Sequence, residues 1–223
     1  MNKKPVVEVE QIVPWSIARD AARRTIGKEP LGREKTEVSH KFKVQSCIAE
    51  HSHIKLVQYR LSFKDLRQWV GVHILRHPYL LPFIHSQRVD RREDIDKMVD
   101  KVMGIIEDDI KNDPNFNKRD YLFQGEENDQ DFYVNVQTLI NVSRKRLCSC
   151  ASKETREAWE LVKAAIAEVD PEVAHCMVRN CVYRSRCPEM HPACQYWKTE
   201  KFKEEYEKYW SEAACMQESD KNR

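Results

Sequence analysis

The chain has 223 residues, of which 41% are apolar and 33% charged, and its formal net charge is +2. That length fits one domain, or one domain with an appendage, and the apolar share suffices for a real core. The near balance of charge gives no electrostatic case for a nucleic-acid binder or a membrane-surface protein, and 5 glycines leave no room for a glycine-rich phosphate loop.

Residues 1–14 hold no apolar stretch of signal-peptide length, and no run approaches the ~20 residues of a membrane span, so a soluble cytoplasmic protein is expected. Val6–Val13 alternates around Val7 and Val9 and predicts a strand, stopped by Pro14. Ser16 is the expected N-cap of a helix reaching about Ile26, and residues 27–36, with Pro30 and Gly32, a loop. Residues 40–49 predict a short helix. Val57, Tyr59, Leu61 and Phe63 alternate with Gln58, Arg60 and Ser62, the pattern of a half-buried strand. Residues 65–76 read as a helix with Leu66, Trp69, Val70 and His73 on one side, closed by His77-Pro78, and residues 79–88 as a loop.

Further on, Ile95, Met98, Val99, Val102, Ile106 and Ile110 recur at helical spacing. Residues 121–123 predict a short strand, 125–131 an acidic loop and 132–147 a mostly helical stretch. Ser152 is placed to cap a helix burying Ala158, Leu161, Val162, Ala165, Ile166 and Val169, which Asp170-Pro171 breaks. Phe202, Tyr206, Tyr209, Trp210 and Ala213 mark a final amphipathic helix.

The stretch 76–88 carries the strongest chemical signal. Arg76 and Arg88, the Ser86 hydroxyl and the Gln87 amide fall near a helix end, a donor set that suits a phosphate; the bland alternative is a solvated loop with scattered arginines. Here the sequence resembles the flavin-dependent thymidylate synthases. Arg76, His77, Ser86 and Arg88 fall on positions of that family's signature, whereas Pro78, Leu81, Phe83, Ile84 and Val89 depart from it. Asn135, Asn141, Arg146, Ala151 and Glu154 repeat a second family spacing, Arg119 lies where the family has another substrate-binding Arg, and His51 matches a family His. The resemblance covers residues 6–168.

The resemblance implies an α+β fold, with a mixed or antiparallel sheet packed with helices over residues 1–170; residues 171–223, outside the resemblance, are expected to form a helical, cysteine-rich extension. It implies methylation of dUMP at C5, with the carbon from methylenetetrahydrofolate, the hydride from reduced FAD, and NADPH as the flavin reductant. It implies a homotetramer with sites between subunits. Arg146 and Ser86 then match catalytic positions, Arg146 as the cation beside the pyrimidine edge. His73, Arg76, Ser86, Gln87, Arg88, Arg119 and Arg146 match nucleotide-binding positions, although His73 stands where the family usually has Gln. His53, Arg76, His77, Asn135, Gln137 and Asn141 match cofactor-side positions. Pro78 replaces an Arg that contacts flavin and Ile84 an acidic residue. These departures leave open altered chemistry at C5, such as hydroxymethylation, or a nucleotide-binding protein that has lost flavin and keeps a structural metal.

Cys176, Cys181, Cys187 and Cys194 are separated by four, five and six residues, among His175, His191, Pro188 and Pro192. Four thiolates from a loop can close a zinc site or hold an iron–sulfur cluster; the alternative is a set of free thiols. Cys148 and Cys150 lie close in sequence to Arg146, where Cys150 either approaches the site or packs in the core.

Overall fold

The computed structural model describes residues 4–32, 34–86, 104, 112, 125–190 and 194–219, the last eight of these as backbone. The apolar positions that predict a helix over 95–110, apart from residue 104, and the predicted strand at 121–123 lie outside the described residues, as do Gln87, Arg88 and Arg119.

Four strands form one sheet: β1 (Val6–Val13), β2 (Gln58–Arg67), β3 (Leu81–Ile84) and β4 (Glu127–Asn135), in the order β1-β2-β4-β3 with every pair antiparallel. Strict alternation turns Tyr59, Leu61 and Phe63 of β2 to the core face, where Phe132 and Val134 of β4 meet them. Phe63 and Phe132 pack edge to face at 5.9 Å. Then the phase changes. Phe63 pairs with Gln130 but Leu66 pairs with Asn128, so β2 takes three steps while β4 takes two. Asp65, at φ 56°, carries the extra step, and its N–H donates to Asp129 Oδ1 at 3.2 Å. The bulge returns Leu66 to the core face.

That bulge corrects the expected start of the next helix. Residues 65–67 finish the strand, and α3 runs over Gln68–Leu75. The expected loop at 79–88 contains β3. The expected acidic loop at 125–131, with the first residues of the stretch expected as helix, forms β4. In β4 the acidic residues Glu127, Asp129 and Asp131 alternate with inward Asn128, Gln130, Phe132 and Val134; a period of two built half from polar residues does not read as a strand.

Eight α-helices accompany the sheet among the described residues: α1 (Trp15–Thr25), α2 (His40–Ile48), α3, α4 (Val136–Arg146), α5 (Lys153–Val169), α6 (Pro171–Cys176), α7 (Asn180–Tyr183) and α8 (Glu200–Ser219). Three have side-chain caps: Ser39 Oγ accepts from Phe42 N–H, Asn135 Oδ1 from Thr138 N–H and Ser152 Oγ from Thr155 N–H. Ser16 is not the cap of α1; Pro14 holds that position and Ser16 is buried inside the helix. On α5 the buried face is Thr155, Ala158, Trp159, Val162 and Ile166, rotated from the expected one, with Leu161 and Val169 exposed. Trp159 sets the rotation: it is fully buried and its Nε1–H donates to Ser143 Oγ on α4 at 2.8 Å.

The main core extends from the sheet through α4 and α5 to Val173, Ala174, Cys176 and Met177. A second cluster joins Val178, Cys181 and Val182 to Phe202 and Tyr209 of α8. At the end of α5 the buried Asp170 carboxylate accepts from Trp15 Nε1 at 2.5 Å and Tyr59 Oη at 2.6 Å, and it pairs with Lys43 Nζ at 3.4 Å. One side chain thereby ties α5 to α1, β2 and α2.

Candidate functional site

The ends of α3 and α4 converge. Arg76 closes α3, and Arg146 is the last residue of α4. The half-buried Arg146 donates from Nη2 to the His73 carbonyl at 2.5 Å, which fixes one helix end against the other. His73 Nδ1 lies 3.2 Å from Thr155 Oγ1, and its ring packs edge-on against Trp69 at 5.3 Å.

This junction is electropositive. Burial lowers the Arg146 guanidinium, and the charge of Arg76 lowers it further. Burial also lowers His73, with Arg146 and Arg76 adding to the effect. His77 is pushed down to about 4, by burial first and then by Arg146 and Lys145, so its ring is neutral near pH 7. No carboxylate among the described residues pairs with Arg76 or Arg146. Among those residues the buried Nε of Arg146 and Nε2 of His77 have no hydrogen-bond partner. Two guanidinium groups that repel one another, beside unmet polar atoms, are relieved by an anion.

A different face of α4 carries the cofactor-side candidates. Gln137, Asn141 and Arg144 stand at i, i+4 and i+7 and gather around Glu50. Gln137 Nε2 donates to Glu50 Oε2 at 2.6 Å and to Asn141 Oδ1 at 3.4 Å. Arg144 pairs with Glu50, donates to Asn141 Oδ1 at 3.3 Å, and lies 3.6 Å over the Tyr183 ring. Burial works to raise the Glu50 carboxyl, but the bond and charge of Arg144 outweigh it and hold the group below its ordinary value. His53 bonds Ser46 Oγ through Nε2 at 2.7 Å and stacks on Phe42 at 5.2 Å. Burial, then His51, lowers its pKa.

Of the residues singled out in the sequence, the structure brings His73, Arg76, His77 and Arg146 to one junction. Gln137 and Asn141 meet on a separate patch toward the start of α4. Asn135 caps that helix with its side-chain oxygen. Ser86 stands apart from the junction. It follows β3, where Asn128 donates to the His85 carbonyl and to Gln68 Oε1, and Gln68 begins α3. Arg76 lies at the other end of that helix, about 12 Å along its axis. Glu50, Arg144 and Thr155 were not singled out by sequence reasoning; the i, i+4, i+7 spacing of Gln137, Asn141 and Arg144 was the signal for one of them. A cleft of about 510 Å³, lined by Arg67, Val70, Glu154 and Leu161 among others, lies elsewhere and contains none of the candidates.

The four-cysteine set requires a correction. Cys176 is buried in the main core with Cys47, whereas Cys181 and Cys187 belong to the second cluster. Helix α6 turns Cys176 inward, away from the other three. Among the described residues no three His, Cys, Asp or Glu side chains form a group ready to hold a metal ion. No described helix is long and apolar enough to cross a membrane.

No protein-family model and no curated protein sequence matches the chain. Solved structures do. One is thymidylate synthase X (ThyX) from Helicobacter pylori with FAD and dUMP, at 16% identity and a TM-score of 0.55, covering 78% of this chain and 99% of that one. Another, the flavin-dependent thymidylate synthase ThyX from Helicobacter pylori complexed with FAD and dUMP, aligns at 15% identity with a TM-score of 0.58, over 78% of this chain and 100% of that one. The likeness is one of fold.

Proposed function

We propose that the chain is a cytoplasmic flavin-dependent enzyme of the thymidylate synthase type, which binds dUMP at the junction of α3 and α4 and methylates its C5. The observation that carries this reading is the half-buried Arg146 guanidinium, which lies under the charge of the exposed Arg76, with neither group having a described carboxylate partner. A nucleotide monophosphate supplies the missing negative charge, and each guanidinium can hold it with a fork of donors. The fold shared with proteins crystallised with FAD and dUMP supports the same reading.

Arg146 has two tasks in this scheme. Its bond to the His73 carbonyl holds the guanidinium in place, and its remaining N–H groups face charge developing on the pyrimidine oxygens during attack on the ring. A preorganised, partly buried cation is worth more there than one in water, because nothing need reorient as the charge forms. His77, neutral and with Nε2 unbonded, offers one hydrogen bond to a polar ring edge; Gln137 and Asn141 offer amide contacts on the cofactor side. When bound, FAD in its reduced form supplies the hydride, NADPH having reduced it, while methylenetetrahydrofolate supplies the carbon. Ser86, Gln87, Arg88 and Arg119 complete the nucleotide site across subunits of a homotetramer, a reading that suits the separation of Ser86 from Arg76.

The test is turnover. Full-length protein is incubated without oxygen with dUMP, methylenetetrahydrofolate, NADPH and FAD, and the nucleotide is examined by mass spectrometry. Gain of one methyl group supports the proposal; gain of a hydroxymethyl group assigns the variant chemistry. Unchanged dUMP overturns the enzymatic reading. Pro78 and Ile84, in place of an Arg and an acidic residue, favour a second reading, in which the protein binds the nucleotide and not flavin. Binding of dUMP with no uptake of FAD identifies that case.

A further inference from the structure

His73 is held from two sides. Arg146 Nη2 donates to its carbonyl at 2.5 Å, and its Nδ1 lies 3.2 Å from Thr155 Oγ1 in the first turn of α5. Behind Thr155 stands Ser152, the cap of that helix. Its Oγ accepts the Thr155 N–H at 3.4 Å, and its O–H donates to Thr155 Oγ1 at 2.7 Å. Thr155 is fully buried, so its own O–H has no route to water, and the one further acceptor it meets among the described residues is His73 Nδ1. The hydroxyls thus form a chain, from Ser152 to Thr155 to His73, in which each proton has an acceptor.

The direction of the chain decides where the imidazole proton sits. Burial, with the charges of Arg146 and Arg76, lowers the His73 pKa, so the ring is neutral above pH 7 and carries one proton. Nδ1 lies against the first turn of a 17-residue helix, whose unpaired N–H groups give that end a partial positive charge and favour a lone pair there over an N–H. The reverse chain would set an N–H against that positive end and turn the Ser152 proton out of the network. The neutral ring therefore keeps its proton on Nε2, which has no hydrogen-bond partner among the described residues and is not sealed from solvent. We infer that Ser152 and Thr155 are positioning residues that fix His73 as an Nε2–H donor, and that this donor reads an acceptor oxygen of the nucleotide bound at the junction of α3 and α4. The ligand rests on the reading given under Proposed function; the fixed tautomer does not.

Full-length protein with isotope-labelled histidine is studied by NMR above pH 7, with His73→Gln assigning the ring signals. Wild type should show His73 as the Nε2–H tautomer alone, Thr155→Val should show two tautomers in exchange, and Thr155→Ser should restore one. In calorimetric titration of dUMP, Thr155→Val should weaken binding about threefold to tenfold, the range of one neutral hydrogen bond, while Thr155→Ser binds as wild type does. His73→Phe should lose at least as much as Thr155→Val, each in protein that keeps its circular dichroism. Should Thr155→Val fail to fold, the wild-type ring spectrum and His73→Phe decide. A His73 ring protonated on Nδ1, or a tautomer unmoved in Thr155→Val, overturns the inference. So does His73→Phe that binds dUMP as wild type does. Wild type that shows the Nε2–H tautomer yet binds no dUMP overturns the nucleotide reading and the ligand assigned to His73, and leaves the hydroxyl chain standing.

Discussion

Replacing Asp170 by Ala tests how the fold is held beneath the candidate site. The carboxylate is the acceptor for the buried Trp15 N–H and Tyr59 O–H, and it is one of two anions beside Lys43, the other being Glu172. Its removal strands two buried donors, each at about 1–3 kcal/mol. Against this stands the cost of burying the carboxylate itself, which raises the Asp170 pKa. The net expectation for Asp170→Ala is a loss of roughly 3–5 kcal/mol, the range for breaking a buried charged pair. For a chain of this size that lowers Tm by on the order of 10 °C, read by calorimetry or circular dichroism. Asp170→Asn keeps an acceptor oxygen and should lose less. A Tm within about 2 °C of wild type for Asp170→Ala would refute the reasoning, since it corresponds to less than about 1 kcal/mol.

A Cβ at Gly71 would stand 1.9 Å from Gln130 Oε1, so Gly71→Ala must displace a buried side chain whose Nε2 bonds the Leu66 carbonyl. The expected loss is about 1–3 kcal/mol by urea denaturation, and pairing it with Gln130→Ala should recover part of that loss. His77 should titrate at about 4 by NMR in the folded protein against 6.5 unfolded, so its contribution to stability is complete above 6.5 and is lost as pH falls toward 4; His77→Gln should flatten stability across that window. Arg146→Lys keeps a charge but loses the fork, and should lower kcat about a hundredfold with a smaller effect on nucleotide binding; near-wild-type kcat would contradict the role given to Arg146.

Much of the fold was legible where one physical rule acts alone. The alternation of Val6–Val13 and of Tyr59, Leu61 and Phe63 reported strands because each buries one apolar face. Ser152 and Asp170-Pro171 bounded α5 correctly. The reading failed where tertiary contacts decide. A bulge at Asp65, fastened by Asp129, kept residues 65–67 in the sheet although their pattern also suits a helix. Buried Asn128 and Gln130 hid β4, because polar residues on the core side erase the contrast that periodicity needs. At the site, Arg76 and Arg146 were reached through the family resemblance, and the structure joins them. The Glu50–Arg144 pair spans 94 positions, and nothing local announces it. Cys176 was grouped with its sequence neighbours, but its helix buries it in the main core beside Cys47, apart from Cys181 and Cys187 in the second cluster.

The anion site proposed at the junction of α3 and α4 is tested most directly by calorimetric titration of dUMP into the full-length protein, beside Arg76→Gln and Arg146→Gln, with deoxyuridine as the phosphate-free ligand. Wild type should bind dUMP far more tightly than deoxyuridine, and each substitution should weaken dUMP at least tenfold, about 1.4 kcal/mol, in protein that keeps its circular dichroism. Wild type that fails to bind dUMP, or variants that bind it as wild type does, would contradict the account.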